Sequence, residues 1–488
     1  MAFPFQNFMI ESRMRLGLSR GFWLMLALIA LVTAAGIVGP RLYRIALLGS
    51  GFIAQTLCAG VFVSKRDPDT IRAEELSGPR YELLRFFEAS IDHAGKTVRG
   101  SLHGIAPRTA IYREGLGCTL AVGRTADELR AEATGLFPPL PPPPYPGALW
   151  PEGERVDLSA LPNGVDRAAL EAAIDNIFSE PDPARPRRTR ALVAVQGGRI
   201  VAERYADGFD AEMPLVGWSM SKTATEALVG LRVNGGKLDV AQDGLMPEWR
   251  GKDDPRGKIT LDELLRMTSG LAFDESYDDD LSDVTQMLFV QGDVAAFAAN
   301  KPLVRPPGTY WYYSSGSTNI VSVVLRQTFA DERDYLRFPR DRLFLPLGMR
   351  TAVLQPDASG TFIAASSLYA SARDWARLGL LFLRGGEWFG EQIVPEDWVA
   401  YSLMPTPQSP EDEYGAHVWL KLSESENFGE PPMPEDAYYM LGHDQQIVAV
   451  VPSRDLVVVR LGLTRKAGDW DNARDLAPLV NAFPARAP

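Results

Sequence analysis

The sequence is poor in the residues that build metal and redox sites. It contains only 2 Cys and 4 His in 488 residues. The cysteines form no Cys-x-x-Cys pair, and the histidines have no metal-ligand spacing, so a structural zinc or a redox dithiol is not expected. The sequence therefore predicts no metal and no cofactor. The four histidines are His93, His103, His417 and His443.

Positive charge is also scarce, with 50 Lys and Arg against 62 Asp and Glu, a net charge of −12. Nucleic acids bind basic surfaces, so a nucleic acid is not an expected partner. No Gly-x-Ser-x-Gly segment is present, which argues against the α/β-hydrolase type of nucleophile. The composition is otherwise that of a globular protein, with 46% apolar and 23% charged residues.

An apolar run over Phe22–Val38 follows three arginines near the N-terminus. A run of this length is at the short end for a membrane span, and the basic flank favours an exported C-terminal part. We predict a signal or membrane-anchor segment over residues 1–44, and we favour an anchor over cleavage near Val32-Thr33-Ala34. This predicts a periplasmic or cell-envelope protein that is held by the inner membrane or exported after cleavage.

A second apolar run, Ile45–Val63, contains glycines and a glutamine, so we predict a buried or membrane-surface helix rather than a second span. It opens a small N-terminal region, 45–137, that carries no recognisable chemistry. Cys58 and Cys118 lie in this region, and in an exported chain they either pair or stay as buried thiols. The predicted elements of the region are helices over 82–94 and 126–133 and strands over 98–102 and 109–112.

Seven prolines in the nine residues 138–146 predict a stiff, extended linker that packs along the next domain, with an interaction motif as the alternative. We place a linker over 138–164 and one large domain over 165–488. In this domain, strands at Ala191–Val195 and Ile200–Tyr205 flank a turn, and a second hairpin is predicted over 446–461. Thr260-Leu-Asp-Glu263 is a capping box that predicts the start of a helix.

The segment Gly217-Trp-Ser-Met-Ser-Lys222 carries the chemistry that we consider first. If a helix begins near Ser219, the spacing of three residues puts Ser219 and Lys222 on one face of its first turn. A serine hydroxyl is a weak nucleophile until a neighbour takes its proton, and a partly desolvated lysine can do so. Alone, the pair is also compatible with a solvated lysine that has no function.

Two later segments supply further candidates. Tyr313, followed by two serines, could act as an acid or base in a cleft, whereas the neighbouring aromatic residues could equally be core packing. The stretch 274–283 holds six acidic residues. It is either a solvated loop or a rim that attracts a substrate amine.

Taken together, five segments in order resemble the serine β-lactamase-like superfamily, over about residues 165–485. This superfamily includes class C β-lactamases, DD-peptidases, esterases and 6-aminohexanoate-dimer hydrolases, and the last two branches are the most similar. The resemblance implies an α+β fold, with an antiparallel sheet flanked by helices beside a helical lobe. The segments are SMSK (219–222), ITLDELLRMTSGL (259–271), PPGTYWYYSS (306–315), ASARDWARLGLLFLRGG (370–386) and GHDQQIVAVVPSRDLVVVRLG (442–462).

The resemblance also implies roles for individual residues. Ser219 would be acylated, with Lys222 and Tyr313 as its proton partners, and Ser315 stands where the family has an Asn. The oxyanion hole would combine the backbone N–H of Ser219 with that of Gly442 or His443. The residues implied or suggested as substrate contacts are Trp218, Tyr310, Ser315, His443 and Asp444.

The family's Lys-Thr-Gly motif is missing, and the corresponding place reads about Tyr439-Met440-Leu441. Because that lysine holds the carboxylate of β-lactams, we predict a serine hydrolase that acts on small esters or linear amides. Two alternatives remain open. One is a β-lactamase or DD-peptidase, and the other is a non-catalytic envelope scaffold that binds a partner through residues 45–137. The oligomeric state is not predicted.

Overall fold

A computed structural model describes residues 20–143, 145, 147–422, 432–465 and 468–486, with side chains described from residue 38 onward. The helices are α1 (Arg20–Cys58), α2 (Pro68–Glu75), α3 (Ala126–Ala133), α4 (Arg167–Phe178), α5 (Ser221–Asn234), α6 (Leu261–Leu265), α7 (Asp283–Phe289), α8 (Val294–Ala299), α9 (Ser315–Arg326), α10 (Glu332–Pro339), α11 (Leu345–Leu347), α12 (Ala372–Leu383), α13 (Glu396–Ser402) and α14 (Asn472–Asn481).

Within the described residues the strands form four antiparallel sheets, ordered β1-β2-β3-β4, β12-β13-β14-β5-β6, β7-β9-β8 and β10-β11. They are β1 (Glu88–Asp92), β2 (Thr97–Leu102), β3 (Ile105–Arg113), β4 (Gly117–Leu120), β5 (Thr189–Gln196), β6 (Arg199–Tyr205), β7 (Leu215–Val216), β8 (Val353–Leu354), β9 (Leu368–Ala370), β10 (Glu387–Trp388), β11 (Glu391–Gln392), β12 (Tyr438–Gly442), β13 (Gln446–Val451) and β14 (Leu456–Gly462).

Helix α1 joins the two N-terminal apolar runs into one element. Its C-terminal half is partly buried, as expected for residues 45–63, because one face packs on the sheet β1–β4. Among the described side chains, the stretch Val38–Val63 is long and apolar enough to cross a membrane, although 56% of its most apolar window is buried in the protein. In the predicted span Phe22–Val38, the side chains of residues 22–37 lie outside those that the structure describes, as do the side chains of Arg13, Arg15 and Arg20.

The N-terminal unit is a four-stranded meander covered by α1. The structure joins Cys58 of α1 to Cys118 of β4 in a disulfide, the pairing that the sequence left open against two free thiols. The predicted helix over 82–94 is wrong. A short 3-10 helix covers Pro79–Phe86, and β1 follows it because residues 88–92 pair with β2, from Glu88 opposite Ser101 onward. This cross-strand pairing outweighs the local helical pattern.

The five-stranded sheet is the centre of the C-terminal unit. Alternate residues of β5 face opposite sides: Leu192 and Ala194 pack with α4 and α14, whereas Val193 and Val195 face α5 and α12. On the second side, Gly379 lets α12 approach β14, since a Cβ there would lie 2.7 Å from Val457. This antiparallel sheet between helices, beside a helical lobe and a small α+β extension, confirms the predicted fold class.

The proline-rich stretch lies along the C-terminal unit rather than projecting from it. Arg340 donates a hydrogen bond to the carbonyl oxygen of Pro138 at 3.0 Å, and Arg350 bonds that of Pro141. Proline offers a backbone acceptor but no donor, so arginine side chains are suitable partners. The domain borders at 44, 137 and 164 stay predictions.

A buried ionic cluster ties the two units together. Arg190 of β5 donates to Glu74 at 2.8 Å and to Glu75 at 2.9 Å, and Arg66 also pairs with both carboxylates. Burial alone would raise the pKa of Glu75, but the charges of Arg190 and Arg66 hold it below its ordinary value. The N-terminal unit is therefore fixed to the sheet that positions the candidate site.

Candidate functional site

The candidate nucleophile lies in a tight turn between a short strand and a long helix. A 3-10 turn over Trp218–Met220 follows β7 and leads directly into α5. Ser219 is partly exposed, whereas Met220 beside it is fully buried and anchors the turn in the core. Trp218 has a φ of +50°, which is a strained conformation for a bulky residue and is typical of functional sites.

Two glycines bring an edge strand against this turn. A Cβ on Gly442, at the end of β12, would lie 2.2 Å from the carbonyl oxygen of Gly217. A Cβ on Gly217 would lie 2.1 Å from the ring of Trp375. Both positions therefore require glycine, and the edge of the five-stranded sheet runs directly beside Ser219.

Lys222 is almost completely buried, and its ammonium group is held at three points. Nζ donates to Ser219 Oγ at 3.1 Å, to Ser315 Oγ at 3.1 Å and to the carbonyl oxygen of Ala365 at 3.2 Å. These three bonds use all the donors of an ammonium group and fix its position. The structure thus places the predicted serine and lysine in direct contact.

Glu275 completes a chain of polar groups behind Lys222. Ser315 donates from its hydroxyl to Glu275 Oε1 at 2.5 Å and from its backbone N–H to Oε2 at 2.8 Å. Burial raises the pKa of Glu275, and the nearby charge of Lys222 opposes that shift only in part. Glu275 thereby orients the Ser315 hydroxyl so that its oxygen accepts from Lys222.

Tyr313 contacts the lysine through its ring. Lys222 Nζ lies 4.6 Å from the centroid of the Tyr313 ring, which packs beside Trp419 and Tyr414. In the part of the chain that the structure describes, the Tyr313 hydroxyl bonds neither Ser219 nor Lys222, and the ring alone borders the ammonium group. Its role as a proton partner of Ser219 stays a prediction.

His443 belongs to an aromatic wall next to the nucleophile. Its ring stacks on Tyr277 at 4.4 Å between centroids and meets Trp218 edge to face at 5.6 Å. His417, by contrast, is buried and bonds Thr318 at 3.0 Å. Burial, together with the charge of Lys222, lowers the pKa of His417 to about 3. His443 thus forms part of the site wall, and His417 is a neutral core residue.

The predicted substrate contacts do not all gather at this place. Trp218, His443 and Asp444 line one cavity next to the nucleophile, and Ser315 touches Lys222. Tyr310 instead is 51% exposed, with Arg305 5.7 Å from its ring centroid, and it does not line that cavity. Its role in substrate binding stays a prediction.

Three residues of the site were missed by the sequence reasoning. Glu275 and Tyr277 fall inside the acidic stretch 274–283, and no local pattern separates the half-buried Glu275 from its exposed acidic neighbours. Ala365 contributes only its carbonyl oxygen, for which a side-chain pattern gives no signal. In the part of the chain that the structure describes, no three His, Cys, Asp or Glu side chains form a cluster that could hold a metal ion.

A cavity of about 160 Å³ lies beside the site, between α1 and the C-terminal unit. It is lined by Trp218, Tyr277 and His443 on one side and by apolar residues of α1 on the other. The site therefore combines a serine hydroxyl bonded to a buried lysine, an adjacent edge strand and an apolar recess. Such an arrangement is chemically suited to acyl transfer.

The beta-lactamase family model matches residues 174–481 of this chain. A 6-aminohexanoate-dimer hydrolase from Paenarthrobacter ureafaciens is 24% identical over 303 residues, which cover 56% of this chain and 72% of that protein. These matches confirm the resemblance indicated by the five sequence segments.

Solved structures share the fold. A Bacillus anthracis protein named as a 6-aminohexanoate-dimer hydrolase superposes with a TM-score of 0.52 and 21% identity, over 67% of this chain and 86% of that one. A family VIII carboxylesterase gives a TM-score of 0.50 and 13% identity, over 66% and 98%. At these identities the structures show a common fold and leave the substrate open.

Proposed function

Because this chain belongs to the beta-lactamase family, whose members are serine hydrolases, we propose that it hydrolyses small esters or linear amides through an acyl-enzyme on Ser219. The observation that carries this proposal is the 3.1 Å hydrogen bond between Lys222 Nζ and Ser219 Oγ. A buried lysine within hydrogen-bond reach is the neighbour that a serine nucleophile needs.

The reaction takes place in two steps. Lys222 first passes a proton to water, and the neutral amine then accepts the hydroxyl proton of Ser219 as Oγ bonds to the substrate carbonyl carbon. The bond to the leaving alcohol or amine then breaks, and that group receives a proton from Lys222 or Tyr313. In the second step, water attacks the acyl carbon and gives a proton to the same pair. The bond between the acyl carbon and Ser219 Oγ then breaks, Oγ receives that proton from the pair, and the acid and free Ser219 are released.

The negative oxygen of the tetrahedral intermediate needs two backbone donors, and we place them at Ser219 and His443. In a strand, successive N–H groups point to opposite sides. The N–H of Tyr439 points away from β13, because it donates to the carbonyl oxygen of Trp419 at 2.7 Å. His443 lies four residues later, with the intervening Gly442 extended, so its N–H faces the same outer side. This favours His443 over Gly442.

The edge strand also argues against a β-lactam substrate. The place of the family's Lys-Thr-Gly motif is occupied on β12 by Tyr439, Met440 and Leu441, and the first two side chains are buried. No cation from this strand is therefore available to a β-lactam carboxylate. We expect no measurable cephalosporin hydrolysis, and clear hydrolysis would revive the β-lactamase alternative.

We also propose that the N-terminal helix attaches the enzyme to the inner membrane, with the C-terminal unit in the periplasm. The support is the apolar run Phe22–Val38 within α1, together with the arginines that precede this run in sequence. Fractionation and protease accessibility in intact cells test this. A protein that is found only in the cytosolic fraction would contradict it.

The test of the proposed function is intact-mass analysis after a fluorophosphonate probe, with the labelled peptide mapped. We expect one adduct, on Ser219, and we expect Ser219→Ala to abolish both the adduct and the turnover of short acyl esters. Ser276→Ala, which changes an exposed serine on the nearby acidic loop, is the matched control and should retain both. Turnover retained by Ser219→Ala would refute the proposal, and absence of any adduct on folded protein would favour the scaffold alternative.

A further inference from the structure

Helix α1 has two apolar faces with different partners. Ala46, Ile53, Ala54 and Leu57 are buried, and the last three pack in the core between α1 and the sheet β1–β4. Ile45, Leu48, Phe52 and Gln55 are spaced by three, four and three residues, so they form a second stripe along the helix. These four residues are only partly buried, and they line the cavity described above.

The opposite wall of the cavity leads to the nucleophile. It contains Trp218, which directly precedes Ser219, and the stacked pair His443 and Tyr277. It also contains Ile363 and Ser366, which flank the segment whose Ala365 carbonyl accepts from Lys222. From Ile45 to Gln55 the stripe covers 11 residues, or about 15 Å of helix. The cavity therefore has the catalytic turn on one side and the stripe of α1 on the other.

Several charged residues of the cavity wall have partners in the protein. Arg190 pairs with Glu75, Arg80 pairs with Asp278, and Arg465 bonds the backbone carbonyl oxygens of Glu75 and Ser77. Apolar side chains are thus left as the main contact surface for a ligand. The apolar members of the wall are Ile45, Leu48, Phe52, Leu83, Leu84, Phe87, Leu215, Val216, Leu288, Phe289, Ile363 and Leu463.

The mouth of the cavity lies among exposed apolar side chains. Leu83 lines the cavity and is 56% exposed, so the cavity reaches the surface beside it. Phe86, on the same short 3-10 helix, is also exposed. On α1, Leu42 is exposed and lies one helical turn before Ile45, where the stripe begins. A group of exposed large apolar side chains is typical of a surface that meets a membrane or another apolar partner.

We propose that this cavity binds the linear acyl chain of an amphipathic substrate that enters from the lipid bilayer, with the ester or amide carbonyl delivered to Ser219. The inference rests on the proposed function and adds the substrate class. The apolar stripe on α1 supplies one half of the acyl site, so the N-terminal unit takes part in substrate selection. A small acyl group does not reach the stripe and gains nothing from it.

The test compares two probe substrates, the lauroyl and acetyl esters of p-nitrophenol, on the full chain in phosphatidylcholine nanodiscs. In Leu48→Trp the larger ring fills the cavity. We expect kcat/KM for the lauroyl ester to fall about tenfold, the effect of losing contact with about two methylene groups, while acetyl turnover is unchanged. Leu140→Trp, at an exposed leucine of the linker, is the matched control and should change neither.

A second variant distinguishes loss of acyl-chain binding from misfolding of the protein. Leu83→Arg puts a charge at the exposed mouth, where no core packing is lost, and it should also reduce lauroyl turnover selectively. Equal losses for both esters, or no loss for either, would overturn the inference while leaving the proposed function intact, provided that turnover still depends on Ser219.

A binding measurement separates the two proposals completely. A diazirine-bearing lauroyl amide, photolysed with the full chain in the same nanodiscs, should attach to residues 45–56 or 81–87, and Leu48→Trp should suppress this labelling. Labelling elsewhere, or labelling insensitive to Leu48→Trp, would overturn the acyl site even if the enzyme is active. Labelling as expected in a protein without Ser219-dependent turnover would instead refute the proposed function.

Discussion

The most demanding prediction concerns Glu275, which does not touch Ser219. It accepts two hydrogen bonds from Ser315, and Ser315 in turn accepts one from Lys222. In Glu275→Gln the amide NH₂ cannot accept, so one of the two bonds is lost and the Ser315 hydroxyl is no longer held in its direction. A hydrogen bond to a charged group contributes about 1.5–3 kcal/mol, so we expect kcat to fall about 10- to 100-fold.

The pH profile gives a second readout of the same residue. Burial raises the pKa of Glu275, so its carboxylate becomes protonated at a higher pH than an ordinary glutamate does. We expect an acid limb in kcat/KM of the wild type, and we expect Glu275→Gln to be flat there, because glutamine resembles the protonated acid. Because the pKa of Glu275 is higher in the folded protein than in the unfolded chain, the free energy of unfolding of the wild type decreases as the pH rises past the ordinary pKa of a glutamate. At neutral pH the glutamine variant carries no charge at this position, so we do not expect it to lose this part of its stability.

The assay is hydrolysis of p-nitrophenyl acetate between pH 4 and 8, with thermal unfolding measured on the same samples. Asp279→Asn is the matched control, because it removes one charge from the same acidic stretch but keeps the oxygen that accepts from the N–H of Leu281. We expect this control to match the wild type. Wild-type kcat in Glu275→Gln, or an unchanged acid limb, would refute the reasoning.

Three further predictions concern the close backbone contact at Gly442, the titration of His417 and the disulfide. Gly442→Ala should lower kcat by about a hundredfold, because its Cβ would displace β12 from Gly217 and disturb the oxyanion hole. The pKa of His417 is lowered to about 3, so the unfolded chain binds an extra proton below pH 6.5. Stability present above that pH is lost as the pH falls, by about 2 kcal/mol at pH 5, and His417→Asn should flatten this slope in urea titrations. The disulfide closes a loop with a sequence separation of 60, so replacing Cys58 and Cys118 by Ser should cost about 4 kcal/mol of stability, measured as a lower Tm.

Each of these has its own control. Gly251→Ala adds the same methyl group where only Asp254 lies within 4 Å, so its kcat should not change. Thr318→Ser keeps a hydroxyl next to His417 and should leave the pH slope as in the wild type. Addition of a reductant should reproduce the effect of the double serine variant and leave that variant unaffected. A wild-type kcat in Gly442→Ala, an unchanged pH slope in His417→Asn, or an unchanged Tm without the disulfide would contradict the respective argument.

Local patterns predicted those parts of the fold whose stabilising contacts lie close together in sequence. The capping box at Thr260 forms with both of its hydrogen bonds, and α3 begins and ends where its pattern indicated. The strands expected at 191–195 and 200–205 form one hairpin of the central sheet. In each case the deciding contacts lie within a few residues, so the sequence window contained them.

The elements and site residues that the sequence did not predict depend on partners that lie far away in the chain. The segment 82–94 has a helical period in its apolar residues, but residues 88–92 form a strand because they pair with β2. A prediction from the residues of this segment alone does not include that pairing. Glu275 lies in a strongly acidic loop, and only Ser315, 40 residues later, distinguishes it from its exposed neighbours. The Ser219–Lys222 pair was predictable because a helix brings residues three apart together whatever the rest of the fold does.

The position of α1 in the chain has a consequence for biosynthesis. The N-terminal unit emerges from the ribosome before the C-terminal unit, and β14, which pairs with β5 in the middle of the central sheet, is made about 400 residues after the stripe. At ordinary rates of translation, the stripe Ile45–Gln55 then waits on the order of tens of seconds for the wall that covers it. During that interval a nascent chain exposes this apolar stripe, so a bilayer or a chaperone that shields it would protect the newly made protein from aggregation.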